Sequence, residues 1–394
     1  MFTAALECVF DGNVALLKRL LAENPGLVNE EHPGSGEPYD GYFHGATLLH
    51  HVAGNPAIRP LPSNIVEVTR VLLDAGSDVI ATCGGGPAQP GSAGGNVLGL
   101  IATSAMAAEF GFALDIIDLL LEYGAEIDPD NSGGLMYVTL YHTVENKGQR
   151  DIAYALYERG HPADFCYAAG LGLLEYVVEE IETRGITPGV SDRLYRLHRP
   201  TSQKATPQEI VQDAFLCACI NGRIDVADYL RTSGVDLNAF RPWGNEVVTP
   251  LHGAAWAGWV EVVKLLLLAG ANPTLADPNQ KRTALGWALF CNRDEVVNLL
   301  KLDAANMDLV DALELDNADR FLELLGPQDV NAALGGSTPG VLLRTAVSSN
   351  RKRIVKKLIE LGADVCMPNE HGKTAVDWAL ESNDSALIDL ISRQ

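Results

Sequence analysis

Apolar residues near the start of the chain fall into two short runs with helical spacing. Leu6, Val9 and Phe10 share one face of a first helix, Gly12-Asn13 turns the chain, and Leu16, Leu17, Leu20 and Leu21 form the stripe of a second. Spacings of three and four residues put such side chains on one side of a helix. Asn24-Pro25-Gly26 stops it, since proline lacks an amide donor and cannot continue the ladder. The same cadence returns down the chain. Second-helix stripes finish at Leu267, Leu300, Leu325, Ile359 and Ile391, most of them about 33 residues apart. A helix pair this short cannot hide its own stripe, so the pattern predicts units that stack on their neighbours.

The rhythm is uneven in the first half. The connection Glu30–Gly45 is long and gathers Tyr39, Tyr42, Phe43 and His44 among Pro33, Gly34, Gly36, Pro38 and Gly41. Inserts are expected at Gly54–Ser63 and around Ala107–Phe112. Between them Cys83–Asn96 holds too much glycine and proline for a helix or a sheet interior. Glu182–Pro207 breaks the rhythm again, with a local basic bias from Arg184, Arg193, Arg196, Arg199 and Lys204. The expected organisation is therefore repeats with long inserted loops over residues 1–181, a loop or linker at 182–207, and further repeats over 208–394. Because repeat features resume at once beyond 207, the three parts read as one continuous array.

Glu246–Thr274 carries the repeat most fully. Thr249-Pro250-Leu251-His252, Ala254-Ala255, Gly258, Leu265-Leu266-Leu267 and Gly270-Ala271 resemble the ankyrin repeat at nearly every informative position. Thr47-Leu48-Leu49-His50, Thr139-Leu140-Tyr141-His142 and Thr283-Ala284-Leu285-Gly286 are variants of the same opening. The resemblance covers nearly the whole chain. It is specific in the second, seventh, eighth, tenth and eleventh copies and weak in the fifth and ninth. It implies an all-α solenoid of about eleven helix–turn–helix units with β-turn fingers. In style it is similar to the large ankyrin-only proteins of bacteria. The resemblance also implies that the threonine hydroxyl caps the first helix, that proline fills its first turn, and that His50, His142 and His252 tie fingers together through backbone hydrogen bonds.

Composition adds an electrostatic constraint. Twenty-nine basic residues stand against 51 acidic ones, a net charge of −22, which repels nucleic-acid phosphates and anionic membranes and favours basic protein surfaces or plain solubility. No uncharged run approaches the roughly 20 residues needed to span a bilayer. The N-terminus lacks a basic region before an apolar stretch, and the seven cysteines have no disulfide-framework spacing, so a reducing cytoplasm is the expected compartment. Cys8, Cys166, Cys217 and Cys291 are expected to pack as small hydrophobes.

No catalytic constellation emerges. His50, His142 and His252 lie two or three copies apart, too far to share a metal ion. Cys217-Ala218-Cys219 is not a zinc-type pair, and the glycines after Cys83 lack the phosphate-loop spacing and its lysine. Neither a metal nor a cofactor is expected. The resemblance implies a protein-binding scaffold that uses its finger tips and the two positions before each turn glycine. These are Phe10 and Asp11, Asn146 and Lys147, Trp256 and Ala257, and Glu381 and Ser382, where Asn383 replaces the glycine. Trp256 reads either as an exposed anchor or as packed on Trp243 of the preceding finger, and Trp259 follows it beyond the turn. An alternative reading is an unusual enzyme or small-molecule binder. It would use a pocket among the inserted loops of the first three copies, lined by Tyr39, Tyr42, His44 and His51, with Phe43 beside them.

Overall fold

The computed structural model describes residues 1–32, 45–54, 59–83, 95–127, 147–184, 205–243, 246–301, 307–332 and 339–392. It is a mainly helical protein whose contacts gather into two compact units, Met1–Asp236 and Leu237–Gln394. Most of the expected loop or linker at 182–207, residues 185–204, lies outside the described residues. The helices on either side of that segment, Phe165–Leu171 and Pro207–Ile220, pack directly on each other within the first unit.

In the second unit the repeat is seen at full length. Thr249 caps Pro250–Ala257, with its hydroxyl accepting the His252 amide, and the helix stops where Gly258 takes a left-handed conformation at φ 88°. Val260–Leu268 then runs back and buries Val262, Val263 and Leu266. The helices Ala284–Phe290 and Asp294–Leu300 repeat the motif, as do Val341–Ser348 with Lys352–Glu360 and Ala375–Glu381 with Ser385–Ser392. The short ninth copy, where the resemblance is weak, still forms both of its helices, Leu309–Glu314 and Ala318–Leu325. First helices pack on first helices and second on second, which makes two layers with the apolar stripe closed between them.

The first unit obeys the same rule with more irregularity. Phe2–Asp11 and Val14–Glu23 form a regular first copy, but Thr47 opens a tighter 3-10 turn, Leu48–Ala53, before Ile65–Asp74. The insert expected around Ala107–Phe112 folds as a short extra helix, Ala105–Glu109, with Ser104 capping it through the Ala107 amide. Only the ends of the glycine-rich run are described. There Thr82 pairs with Asn96 and Cys83 with Gly95, the base of a finger. A full finger stands in the second unit, where Arg241–Trp243 pairs antiparallel with Glu246–Val248.

An asparagine at the base of a finger stitches copy to copy in both units. Asn29 donates to the Gly76 carbonyl (2.9 Å) and accepts from the Asp78 amide (2.8 Å). Asn331 makes the same pair of bonds to Gly362 (3.0 Å) and Asp364 (2.8 Å). Both helix-end glycines leave a bare carbonyl that needs such a donor.

Candidate functional site

The histidines of the repeat motif are framework groups. His252 Nδ1 accepts from the Thr249 amide (3.3 Å) and meets the Thr249 hydroxyl (2.7 Å). Its Nε2 lies 2.9 Å from the Leu275 carbonyl and 3.1 Å from that of Arg282. His50 repeats the arrangement with Thr47 and the Ala81 carbonyl. An amide donating to Nδ1 leaves the ring proton on Nε2, where it donates to the finger. Burial pushes both imidazoles below their ordinary range, the carbonyls opposing, so each stays a neutral tie near pH 7. His142 lies outside the described residues.

His51 is set differently from the expectation of a polar pocket wall. It is 4% exposed, with its ring 5.5 Å from His32, 6.1 Å from Phe10 and 6.5 Å from Phe2. Burial, with His32 and His50 adding to it, lowers its pKa to about 3. Tyr39, Tyr42, Phe43 and His44 lie outside the described residues, as does Asn146. Phe10 is half-buried, and the Arg59 guanidinium covers its ring at 4.9 Å while pairing with Glu7 at 2.8 Å. Glu381 stays exposed and pairs with Lys373 (2.9 Å).

Trp256 is only 8% exposed, and its ring centroid lies 5.3 Å from Trp287 in the following copy. Sequence gave it Trp243 as the packing alternative. The stack instead supplies Trp287, which occupies the position that Gly253 holds one copy earlier. Trp243 is itself buried at the finger, and Trp259 is half-buried just past the Gly258 turn. Cys291 is half-exposed rather than buried, because it ends the helix Ala284–Phe290 instead of lying inside it.

An aromatic left open on this side is Phe290, 61% exposed to solvent. It stands two residues before Asn292, which adopts a left-handed conformation at φ 54° where the motif has glycine. Asn383 makes the same substitution in the eleventh copy, at φ 55°. Phe290 meets Trp287 edge-on at 5.9 Å, and the Arg282 guanidinium lies 4.6 Å above its ring. Arg282 also pairs with Glu314 (3.3 Å), and Trp287 Nε1 donates to Asp277 (3.0 Å). Asp277 accepts further from the amides of Asn279, Gln280 and Arg282, which fixes the finger beside the helix. Trp256, Trp287 and Phe290 thus form a continuous aromatic run, rigid below and open at Phe290, with Arg282 and Glu314 on its rim.

Known proteins resemble the chain in the repeat itself. A family model for ankyrin repeats, three copies long, matches residues 215–311, which include this aromatic run. A relative named as a palmitoyltransferase, ZDHHC13 of Danio rerio, is 29% identical over 188 residues, 44% of this chain and 28% of its own length. XBAT35 of Arabidopsis thaliana, named as an E3 ubiquitin-protein ligase, is 37% identical over 95 residues, 24% of this chain and 20% of its own length. The ankyrin repeat and SOCS box protein 6 of Pongo abelii is 30% identical over 158 residues, 40% of this chain and 32% of its own. The chain therefore spans a third or less of each of these relatives, whose names point to different chemistries. Among the described residues no helix is long and apolar enough to cross a membrane. With the threonine caps, histidine ties and layered helix pairs on the same residues, these units are ankyrin repeats and the chain is an ankyrin-repeat protein.

Proposed function

We propose that this protein is a non-catalytic scaffold that binds another protein through the first-helix side and finger tips of its seventh to ninth copies. The observation that carries the reading is Phe290, a large apolar side chain held open on a buried aromatic pair and rimmed by Arg282 and Glu314. Aromatic anchors ringed by polar groups are the usual centres of protein interfaces. The chain's net charge of −22 favours a partner surface that is basic around the residue it inserts. Trp256 is nearly closed off and meets Trp287, which in turn meets Phe290, so it adds little contact area of its own.

The test compares two exposed apolar side chains. Phe290→Ala should weaken partner binding about tenfold or more, in line with the loss of an interface anchor. Leu268→Ala, at the end of a second helix and 90% exposed, should leave binding unchanged. Pull-down or calorimetry with a recovered partner would read both. Equal effects from the two variants would remove the first-helix side as the binding surface. The reading of an enzyme or small-molecule binder gains no support from His51, which lies inside the first unit and away from solvent.

A further inference from the structure

A cleft of about 290 Å³ opens in the first unit beside the helix Lys147–Glu158. That volume is at the small end of the range for ligand sites and suits a molecule of amino-acid size. Asp151, Tyr154 and Glu158 line it at spacings of three and four residues, which set them on one face of the helix. Arg159 follows at the end of the same helix, and Leu171 and Arg223 line the cleft from the next two copies.

The charges in this lining are not equivalent. Arg159 is engaged, since its guanidinium pairs with both Asp118 oxygens (2.5 and 2.8 Å) and donates to the Ala155 carbonyl (3.0 Å). Among the described residues neither the Asp151 nor the Glu158 carboxylate takes a hydrogen bond or an ion pair. Arg223 is fixed through Nε, which donates to the Gly170 carbonyl (2.8 Å). A guanidinium carries five donors, and the bond to Gly170 sets the plane of the others. On the two second helices that follow, Glu175, Glu179 and Asp225 are exposed, whereas Arg231 is paired with Asp228 (2.5 Å). With Arg159 and Asp118 cancelling, the cleft holds two carboxylates and one guanidinium in negative surroundings.

That set of charges selects a ligand. A simple anion is repelled by the two carboxylates, and an apolar molecule would strip water from charged groups without replacing it. A plain diamine would leave its cations beside Arg223. A basic amino acid carries the complementary set, two cations and one carboxylate. Asp151 and Glu158 are separated by about 10 Å along the helix axis, the rise of seven residues, so each can meet one end of such a molecule. Tyr154 lies between them and is 44% exposed, an aromatic face that attracts a cation.

We propose that this cleft binds a free basic amino acid, L-arginine or L-lysine. Its side-chain cation and α-ammonium meet Asp151 and Glu158, its carbon chain lies against Tyr154 and Leu171, and its α-carboxylate pairs with Arg223. The site is distinct from the Phe290 surface and does not depend on it.

Equilibrium dialysis of radiolabelled L-arginine against the full chain, with unlabelled analogues as competitors, tests this. The expected result is saturable one-to-one binding with a Kd below about 1 mM, with L-lysine competing. Asp151→Asn/Glu158→Gln should abolish binding with an unchanged melting curve, because both side chains are exposed. Tyr154→Ala should weaken it about fivefold, and Phe290→Ala, in the other unit, should leave it unchanged. Norleucine, without the side-chain cation, and agmatine, without the carboxylate, should each compete at least about tenfold less well. No saturable binding up to about 10 mM L-arginine overturns the proposal. Binding that survives in the double variant overturns it as well. Agmatine competing as well as L-arginine would remove Arg223 from the site and the amino-acid assignment with it. Equal competition by Nα-acetyl-L-arginine would also overturn the free amino acid and assign the cleft to the C-terminal basic residue of a peptide.

Discussion

The seventh and eighth copies differ instructively from the ninth and tenth, although both pairs sit in one unit and form the same two layers. In the seventh, His252 reaches 23 residues along the chain to the Leu275 carbonyl (2.9 Å). In the tenth, Arg344 spans the same interval to the Met367 carbonyl (3.0 Å) and also holds Pro339 (2.7 Å). At the helix end, Gly258 gives way to Asn292 already in the eighth copy, then to Asp316 and Asn350 in the ninth and tenth, all in left-handed conformations. Asp316 uses its carboxylate to cap the amides of the next copy's second helix, a bond glycine cannot make. Between them Gly286 stands where histidine would be, and a Cβ there would come within 3.1 Å of the Asp311 carboxylate. The stack conserves the job of each position more strictly than its residue. Donors of different chemistry satisfy the same finger carbonyls.

The bluntest way to break the regular pair is Leu266→Asp. Leu266 is fully buried, so an unpaired carboxylate at that site should cost on the order of 4 kcal/mol and unfold the adjoining repeats. Circular-dichroism melting would show a lower and broader transition, and an unchanged midpoint would remove the stacking assignment.

Glycine offers a sharper test. Gly258 and Gly270 are both left-handed, at φ 88° and 94°, yet only Gly258 faces a neighbour, the Arg293 side chain at 3.0 Å. Arg293 reaches there because its Nε donates to the Trp256 carbonyl (2.9 Å). Gly172 stands in the same relation to Arg223, which donates to the Gly170 carbonyl (2.8 Å). Gly270→Ala should cost about 1 kcal/mol from conformation alone. Gly258→Ala should cost about 2 kcal/mol, the excess disappearing in an Arg293→Ala background. Equal losses in urea denaturation would mean that the arginine stem yields freely.

The smallest expected effect is electrostatic and distinguishes the ninth copy. Asp311 is buried, accepts from the Thr283 hydroxyl (2.6 Å) and from the Asp308 amide (3.2 Å), and is pushed up to about 7 by burial, with Asp308 adding to it and the hydroxyl opposing. A carboxyl with a raised folded-state pKa contributes stability that is complete below its unfolded value near 4 and lost as pH rises through about 7. The wild type should therefore lose stability relative to Asp311→Asn between pH 4 and 8, on the order of 1 kcal/mol after allowance for relaxation. His252 should show no loss over the upper part of that range, since it is already neutral there. Urea midpoints measured against pH for both proteins would check it; parallel curves would place the titration elsewhere.

Particular residues show how far the sequence could be read. The helix pairs were legible from apolar spacing, and the roles of His50 and His252 from the family resemblance. The surroundings of Trp256 were not, since its neighbour Trp287 comes from another copy and meets it only once the copies are stacked. Phe290 stands before Asn292, a left-handed stand-in for glycine just as Asn383 is, so the motif reached its position, but the motif does not say that the side chain stays open. The expected insert at Ala107–Phe112 gave no sign that it would fold as a helix with its own serine cap. Periodicity, stop signals and charge are local properties of the chain, and by themselves they determined that this protein is a strongly acidic array of short helix pairs, which the motif residues of Glu246–Thr274 then likened to ankyrin repeats. Which side chains meet, which are shut from water and which stay open depends on contacts between copies about 33 residues apart. Stacking alone decided that Trp256 would be covered and Phe290 left exposed.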